Sequence, residues 1–233
     1  MIAVSARNNA EWCHAMCRAH GIPGVFGDRA WTSERRTPPL YPDAVTLAPQ
    51  AKAPEVLGPI DRTEAGCSVK DSFGRLDLSA EGFDLAFRAR WIHRPAMLAA
   101  PVAPDDVVWR PVRTAPDLDR WEAAWSGGDE ALAGLFRPGL LSDRAVTVLA
   151  GTADDGGRTV AGAVVSRSDS VVGLSNVFAA DGDLDRAWSG CLATVARLWP
   201  GMPVVGYEHG EDLSAAARQG CVPGPELRVW LAS

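Results

Sequence analysis

Near its carboxyl end the chain reads Val204-Val205-Gly206-Tyr207-Glu208, then Asp212-Leu213-Ser214-Ala215-Ala216-Ala217-Arg218-Gln219-Gly220-Cys221, then Glu226-Leu227-Arg228-Val229-Trp230. The first segment is apolar and β-branched, which predicts a strand. The second predicts a short helix closed by Gly220, and the third a final strand. The three segments together predict that the polar end of the first strand meets the start of the helix.

The segment before this stretch carries the strongest helix pattern of the chain. Asp183 predicts an N-cap. Apolar side chains then recur on one helix face at Leu184, Ala187, Trp188, Cys191, Leu192, Val195, Leu198 and Trp199. Upstream, three strand-like runs at 145–152, 159–167 and 171–178 predict an antiparallel meander, with a turn at Asp154-Asp155-Gly156-Gly157.

A proline-bearing linker at 99–106 predicts a domain boundary near residue 104, which gives domains 1–104 and 105–233. After the linker, residues 107–112 predict a strand, Asp117 a helix cap, and 130–136 a second short helix. The second domain therefore has the order β, α, α, β, β, β, α, β, α, β. The predicted elements of the first domain are a helix at 9–20 capped by Asn8 or Asn9, an irregular loop at 21–43, a strand at 44–48 and a hairpin between 75 and 91.

Composition and charge exclude several classes of protein. The chain has 233 residues, of which 47% are hydrophobic and 22% charged, with a formal net charge of -6. These values are typical of a soluble globular protein and oppose binding to nucleic acid or an anionic membrane. The sequence contains no apolar run of about 18 residues, the length that predicts a membrane span. We expect a cytoplasmic protein with no nucleic-acid or membrane partner.

The cysteines predict neither disulfides nor a metal site. They are five in number and scattered, mostly within apolar segments, as expected of reduced thiols. Cys13 and Cys17 share a helix face near His14 and His20, but a zinc site needs four converging ligands and no second pair is nearby. We therefore expect no metal.

The element order and the three segments quoted first resemble the GNAT superfamily of acyl-CoA-dependent N-acetyltransferases. The resemblance covers about residues 105–233. It implies an α/β (α+β) fold with a mixed, mostly antiparallel sheet flanked by helices, beside a smaller N-terminal α+β domain that is either a degenerate GNAT-like copy, as in tandem members, or an accessory. It also implies acetyl-CoA or another acyl-CoA as co-substrate and an amine of a small molecule or protein as acceptor.

The resemblance implies two segments for binding the co-substrate. Asn176, Val177 and Phe178 match the strand segment that splays from its neighbour and pairs with the pantetheine arm. The next turn, Ala179-Ala180-Asp181-Gly182-Asp183-Leu184-Asp185-Arg186, matches the pyrophosphate-binding turn, and the candidate ligands there are Ala179, Gly182 and Arg186. Like charge on Asp181, Asp183 and Asp185 opposes a pyrophosphate. The alternative interpretation is that these aspartates cap and solvate the helix.

The resemblance also locates the expected proton-transfer groups. The slot of the family's tyrosine acid is occupied by Ala216, and His209 replaces the asparagine that often ends the strand. The candidate catalytic residues are therefore Tyr207, Glu208 and His209, at the strand end where open α/β sheets bind ligands. The alternative is that this polar cluster is only cap and surface.

Two functions follow from these residues. The first is transfer of an acyl group from acyl-CoA to an amine. The alternative is a non-catalytic GNAT-like module that binds a ligand or a partner, and acyl-CoA affinity would separate the two. The nine tryptophans suggest a third possibility, a structural or interaction protein that forms a homodimer.

Overall fold

The computed structural model describes residues 1–63, 65–153 and 157–233, so nearly all of the predicted turn at Asp154-Asp155-Gly156-Gly157 lies outside the described residues. Contacts group the chain into two compact units, Met1–Trp91 with Gly224–Ser233, and Ile92–Pro223. The predicted boundary near residue 104, with domains 1–104 and 105–233, stays a prediction.

The first unit combines two helices with a mixed sheet. Its elements are α1 (Ile2–Ala19), β1 (Val25–Phe26), β2 (Ala30–Thr32), β3 (Ala44–Thr46), α2 (Ala53–Leu57), β4 (Ser68–Asp71) and most of β5 (Phe83–Arg94). The last strand of the chain, which we number β11 (Val222–Ala232), completes the order β1-β2-β3-β4-β11-β5. β3 and β4 are parallel, whereas β1 with β2, β2 with β3, and β4 with β11 are antiparallel.

The prediction that the first helix starts at residue 9 is wrong, because α1 already begins at Ile2. Asn8 is buried within the helix, and the Asn9 side-chain oxygen accepts a hydrogen bond of 2.9 Å from the ammonium group of buried Lys70. These asparagines satisfy tertiary contacts, which no local capping pattern can reveal.

The predicted hairpin between residues 75 and 91 is also wrong, because only its second arm is a strand. Asp71 ends β4 by accepting the backbone N–H groups of Phe73 at 3.2 Å and Leu76 at 2.7 Å. The chain then makes a 3-10 turn at Ser79–Glu81, and β5 lies next to β11. Apolar residues do alternate along this stretch, but those of the first arm are buried in an irregular segment and not in a strand.

The loop at 21–43, predicted as irregular, contains the short strands β1 and β2 and is held by buried Asp43. This carboxylate forms an ion pair with Arg36. It also accepts the backbone N–H groups of Thr37 at 3.0 Å and Ser68 at 2.8 Å.

The second unit holds the candidate site. Its elements are β6 (Val107–Pro111), α3 (Ala115–Ser126), β7 (Val146–Ala153), β8 (Thr159–Arg167), β9 (Val172–Ala179), α4 (Leu184–Leu198), β10 (Val204–Glu208) and α5 (Gly210–Arg218). The strands lie in the order β10-β9-β8-β7-β6. Neighbours are antiparallel except β9 and β10, which are parallel.

Helices cover both faces of this sheet. Ala161 and Ala163 of β8 belong to the core beneath α4 and α5, together with Trp188, Cys191 and Ala215. Between the two alanines, Gly162 faces the other way, where a Cβ atom would overlap the Trp121 indole of α3 and the Phe178 ring. Gly162 thus lets α3 pack closely on the sheet.

The predicted fold class is confirmed: the chain is mixed α/β with mostly antiparallel pairing and flanking helices. α3 begins earlier than predicted, because Thr114 rather than Asp117 is its N-cap. The predicted helix at 130–136 is replaced by two 3-10 turns, Glu130–Leu132 and Pro138–Ser142. Among the described residues, no helix has the length and apolar character needed to cross a membrane.

Candidate functional site

β9 and β10 separate towards their carboxyl ends. Their pairing joins Val172 to Val204 and Gly173 to Val205. β9 runs on to Ala179 and β10 to Glu208 without further pairs between them. The gap exposes main-chain N–H and C=O groups that an extended ligand could pair with.

β9 carries a bulge where the gap opens. In its ladder with β8, Ser175 pairs with Val164 and Phe178 with Gly162, so β9 has one residue more than its partner. Asn176 lies in this bulge with a φ of 52°. Asparagine is one of the few residues other than glycine that tolerates this conformation. A bulge redirects the local backbone N–H groups away from the ladder and makes them available to a ligand.

Glu208 ends β10 and is the best candidate base. The residue is only partly exposed, and burial among protein atoms together with the negative charge of Asp212 raises the pKa of its carboxyl to about 8. Burial also raises the pKa of Asp212. A carboxylate of high pKa is a strong enough base to accept a proton from an amine near neutral pH.

The other predicted proton carriers differ in position. His209 is exposed and is the N-cap residue of α5, without a side-chain cap bond. Tyr207 is adjacent to Glu208 and alternates to the opposite face of the sheet. Ala216, in the slot of the family's tyrosine, is fully buried in the core. The structure therefore brings Tyr207, Glu208 and His209 together at one strand end, and their catalytic roles stay predictions.

The turn between β9 and α4 uses its backbone donors internally. The Asp181 carboxylate accepts the N–H of Asp183, and the Asp183 carboxylate accepts the N–H of Arg186, both at 3.0 Å. Gly182 and Leu184 donate to the carbonyl groups of Ala179 and Gly182 at 3.1 and 3.0 Å. The predicted capping by aspartate is present. A pyrophosphate would have to displace these carboxylates to reach the same N–H groups.

The cations near this turn are also neutralised. Arg186 forms an ion pair with Asp106 and lies 3.9 Å from Asp181. Arg218 pairs with Asp185 at 2.7 Å. The gap thus leaves backbone groups for an extended ligand, whereas phosphates do not fit the turn as it stands. The side chains of Val177 and Ala179 pack against the core, and Phe178 contacts Trp121. Only the backbone groups of these three residues could therefore bind a ligand in the gap.

A second concavity lies beneath the carboxyl end of α3. We call it the α3 cleft and define it by Arg120, Trp125, Ser126, Arg158, Thr159 and Ala180. Its volume is about 710 Å³. No sequence pattern pointed to this cleft, because Arg158 is a single arginine after a predicted turn and meets the other residues only in the folded chain.

Glu122 supports the same region and was also missed. Its buried carboxylate accepts the backbone N–H groups of Gly134 and Phe136, each at 2.6 Å. A signal was present, because a glutamate four residues after Leu118 must lie on the apolar face of the helix. A charged residue on such a face predicts a buried partner.

The sequence also predicted reduced cysteines and no metal site. All five cysteines are buried as free thiols. In the described parts of the chain, no three His, Cys, Asp or Glu side chains converge as metal ligands. The absence of a metal stays a prediction.

Comparison with known proteins gives structural neighbours only. No family model and no curated protein matches the sequence. The chain is similar in structure to a GCN5-related N-acetyltransferase from Kribbella flavida, at 17% identity and a TM-score of 0.62, over 98% of this chain and 95% of that one. A GNAT-family protein from Novosphingobium aromaticivorans matches at 14% identity and a TM-score of 0.57, over 95% and 96% of the two chains.

A conserved protein of unknown function from Staphylococcus epidermidis matches at 13% identity and a TM-score of 0.57, over 72% of each chain. At these identities the likeness concerns the backbone. The chain has the fold of the GCN5-related N-acetyltransferases.

Proposed function

We propose that this protein transfers an acyl group from acyl-CoA to the amine of a small molecule or protein. The observation that carries the proposal is the gap between β9 and β10, bordered by the Asn176 bulge on one strand and by Glu208 on the other. The gap offers backbone groups to an extended pantetheine arm. The bulge offers N–H groups to a carbonyl oxygen that becomes negative during the reaction.

In this reaction the amine nitrogen attacks the thioester carbonyl carbon. A C–N bond forms, the C–S bond breaks, and the thiolate leaves and takes a proton from solvent. Glu208 in its ionised form accepts the proton that the amine loses, and its raised pKa makes that carboxylate a stronger base. Ala216 supplies no proton, so the leaving group depends on water.

The non-catalytic alternative is favoured by one observation, the internally satisfied turn at Asp181 and Asp183. A chain that retains the gap but holds phosphates weakly would bind acyl-CoA poorly. Such a chain would serve as a binding module for a ligand or partner.

The first test is a melting curve with and without acetyl-CoA. A ligand at 100 times its dissociation constant adds about 2.7 kcal/mol of apparent stability. A saturable rise in Tm supports the proposal. No rise at millimolar acetyl-CoA favours the alternative.

The second test measures acyl transfer to a panel of small amines and peptides by thiol release and product mass. The wild-type protein is compared with Glu208→Gln, and with Glu211→Gln as a matched control at an exposed neighbour. We expect Glu208→Gln to lower kcat without lowering Tm at neutral pH. Equal turnover in all three proteins would remove Glu208 from the mechanism.

A further inference from the structure

We propose that the α3 cleft binds a purine nucleotide through its phosphates, and that the physiological ligand is the adenosine bisphosphate end of the acyl-CoA. The second clause rests on the proposed function, whereas the first does not. The turn between β9 and α4 does not fit these phosphates, and the α3 cleft lies against the same end of β9.

The charges of the two places differ in sign. Asp106, Asp181, Asp183 and Asp185 surround the turn against two arginines, Arg186 and Arg218. In contrast, the described lining of the α3 cleft contains two arginines and no carboxylate. Among the described side chains, the charges therefore attract anionic phosphates to the cleft and repel them from the turn.

The two arginines of the cleft are not equally available. Arg120 forms an exposed ion pair with Asp117, a weak interaction that a phosphate can replace. Arg158 is exposed and takes part in none of the ion pairs between described side chains. Arg158 is thus the leading phosphate ligand, and Arg120 can join it.

The rest of the cleft suits a purine base. Trp125 contributes an indole to the wall, held in place by edge contact with Phe136 at 5.0 Å between ring centroids. Aromatic rings of this kind stack on bases of any sequence. The Ser126 hydroxyl accepts the N–H of Gly128 at 3.3 Å and keeps its own proton to donate.

The carboxyl end of α3 determines how the nucleotide is oriented in the cleft. Carbonyl groups at a helix carboxyl terminus carry partial negative charge, so they accept hydrogen bonds from an exocyclic amino group and disfavour phosphate. The base therefore lies towards Ser126 and Gly127, and the phosphates lie towards Arg158. The volume of about 710 Å³ falls within the range of roughly 300–1,000 Å³ typical of small-molecule sites.

The position of the cleft connects it to the proposed function. Phe178, Ala179 and Ala180 line it, and these residues directly follow the bulge that borders the gap. The carboxyl end of β9 thus lies between the gap and the α3 cleft, so a single long co-substrate can reach both.

The test uses the full chain and calorimetric titration with adenosine bisphosphate, acetyl-CoA and acetyl-pantetheine, which lacks the nucleotide. The variant is Arg158→Ala. The matched control is Arg167→Ala, an exposed arginine at the opposite end of β8. Melting curves check that both variants are folded, as expected for exposed sites.

We expect Arg158→Ala to weaken adenosine bisphosphate and acetyl-CoA by the same factor, about tenfold, as for loss of a charge-assisted hydrogen bond. Acetyl-pantetheine binding and the Arg167→Ala protein should be unchanged. The wild-type affinity for the nucleotide should fall as salt rises.

Two other outcomes distinguish the two parts of the proposal, nucleotide binding by the cleft and binding of acyl-CoA there. If Arg158→Ala loses adenosine bisphosphate but acetyl-CoA binds no tighter than the bisphosphate and no acyl transfer occurs, the cleft is a site for a free nucleotide and the proposed function fails. If the bisphosphate does not bind, or if Arg158→Ala and Arg167→Ala bind it equally, the cleft proposal is overturned whatever the transfer assay shows.

Discussion

Glu208 and Asn176 stand at matching positions on two parallel strands, each three residues beyond the last pair, which joins Val205 to Gly173. The strands part between these points, so Glu208 and the bulge border one gap. This arrangement depends on both local sequences. Gly206 lies close to its neighbour, since a Cβ atom there would be 2.7 Å from the Leu174 carbonyl oxygen.

The raised pKa of Glu208 predicts how turnover depends on pH. Because the carboxyl must be ionised to accept a proton, kcat should rise with pH and level off above about 8. At about pH 7, roughly a tenth of the groups would be ionised. A rate profile of the wild-type protein measures this midpoint. A profile that is flat from about pH 6 to pH 9 would contradict the assignment.

The same group predicts how stability depends on pH. Between about pH 4.5 and 8, the folded state retains a proton that the unfolded state has released, so the free energy of unfolding falls as pH rises. Glu208→Gln is neutral in both states and removes this contribution. We expect the variant to gain stability over the wild type above about pH 8 and to match it in acid. Urea unfolding at several pH values, with Glu211→Gln as control, checks the sign.

Asp183 caps α4 and predicts a measurable stability loss. Asp183→Ala removes the acceptor of the Arg186 N–H and should cost about 1 kcal/mol. For a chain of this length, that lowers Tm by roughly 2–4 °C. Asp183→Asn keeps a side-chain oxygen and should stay close to the wild type. Equal losses in the two variants would show that charge, not the hydrogen bond, matters at this position.

The sequence predicted those parts of the second unit that follow from periodicity and capping. The apolar face of α4 and its Asp183 cap are present, and β8 has the predicted bounds. The errors lie where a side chain makes a hydrogen bond that the periodicity of apolar residues does not reveal. Asn9 accepts from Lys70, and Asp71 turns the chain after β4, so local patterns there gave a false cap and a false hairpin.

The candidate site likewise has a part that the sequence predicted and a part that it did not. Glu208 and the Asn176 stretch could be placed because they end strands of a recognisable order. The α3 cleft could not be placed, since Arg120, Arg158 and Ala180 are far apart in sequence and meet only through packing of α3 on Gly162. The roles of the predicted site residues stay predictions until they are tested.

Glu122 predicts a graded loss of stability beneath the cleft. Glu122→Ala leaves the N–H groups of Gly134 and Phe136 without their acceptor, which should cost roughly 3 kcal/mol. Glu122→Gln keeps one acceptor and should cost less. Urea midpoints at a constant m value measure both, with Glu130→Gln as a control at an exposed site. A loss below that of the control would mean that solvent replaces the carboxylate.

Two substitutions of Asn176 separate the contribution of its backbone conformation to the gap from that of its side chain. Its φ of 52° is strained for β-branched residues and free of strain for glycine. Asn176→Val should therefore lose about 1–2 kcal/mol and reduce acyl transfer, because it straightens the bulge. Asn176→Gly keeps the bulge and loses only the side-chain hydrogen bond to Ser175, so it should retain transfer. Loss of transfer in the glycine variant with unchanged stability would assign the role to the Asn176 amide instead of the backbone.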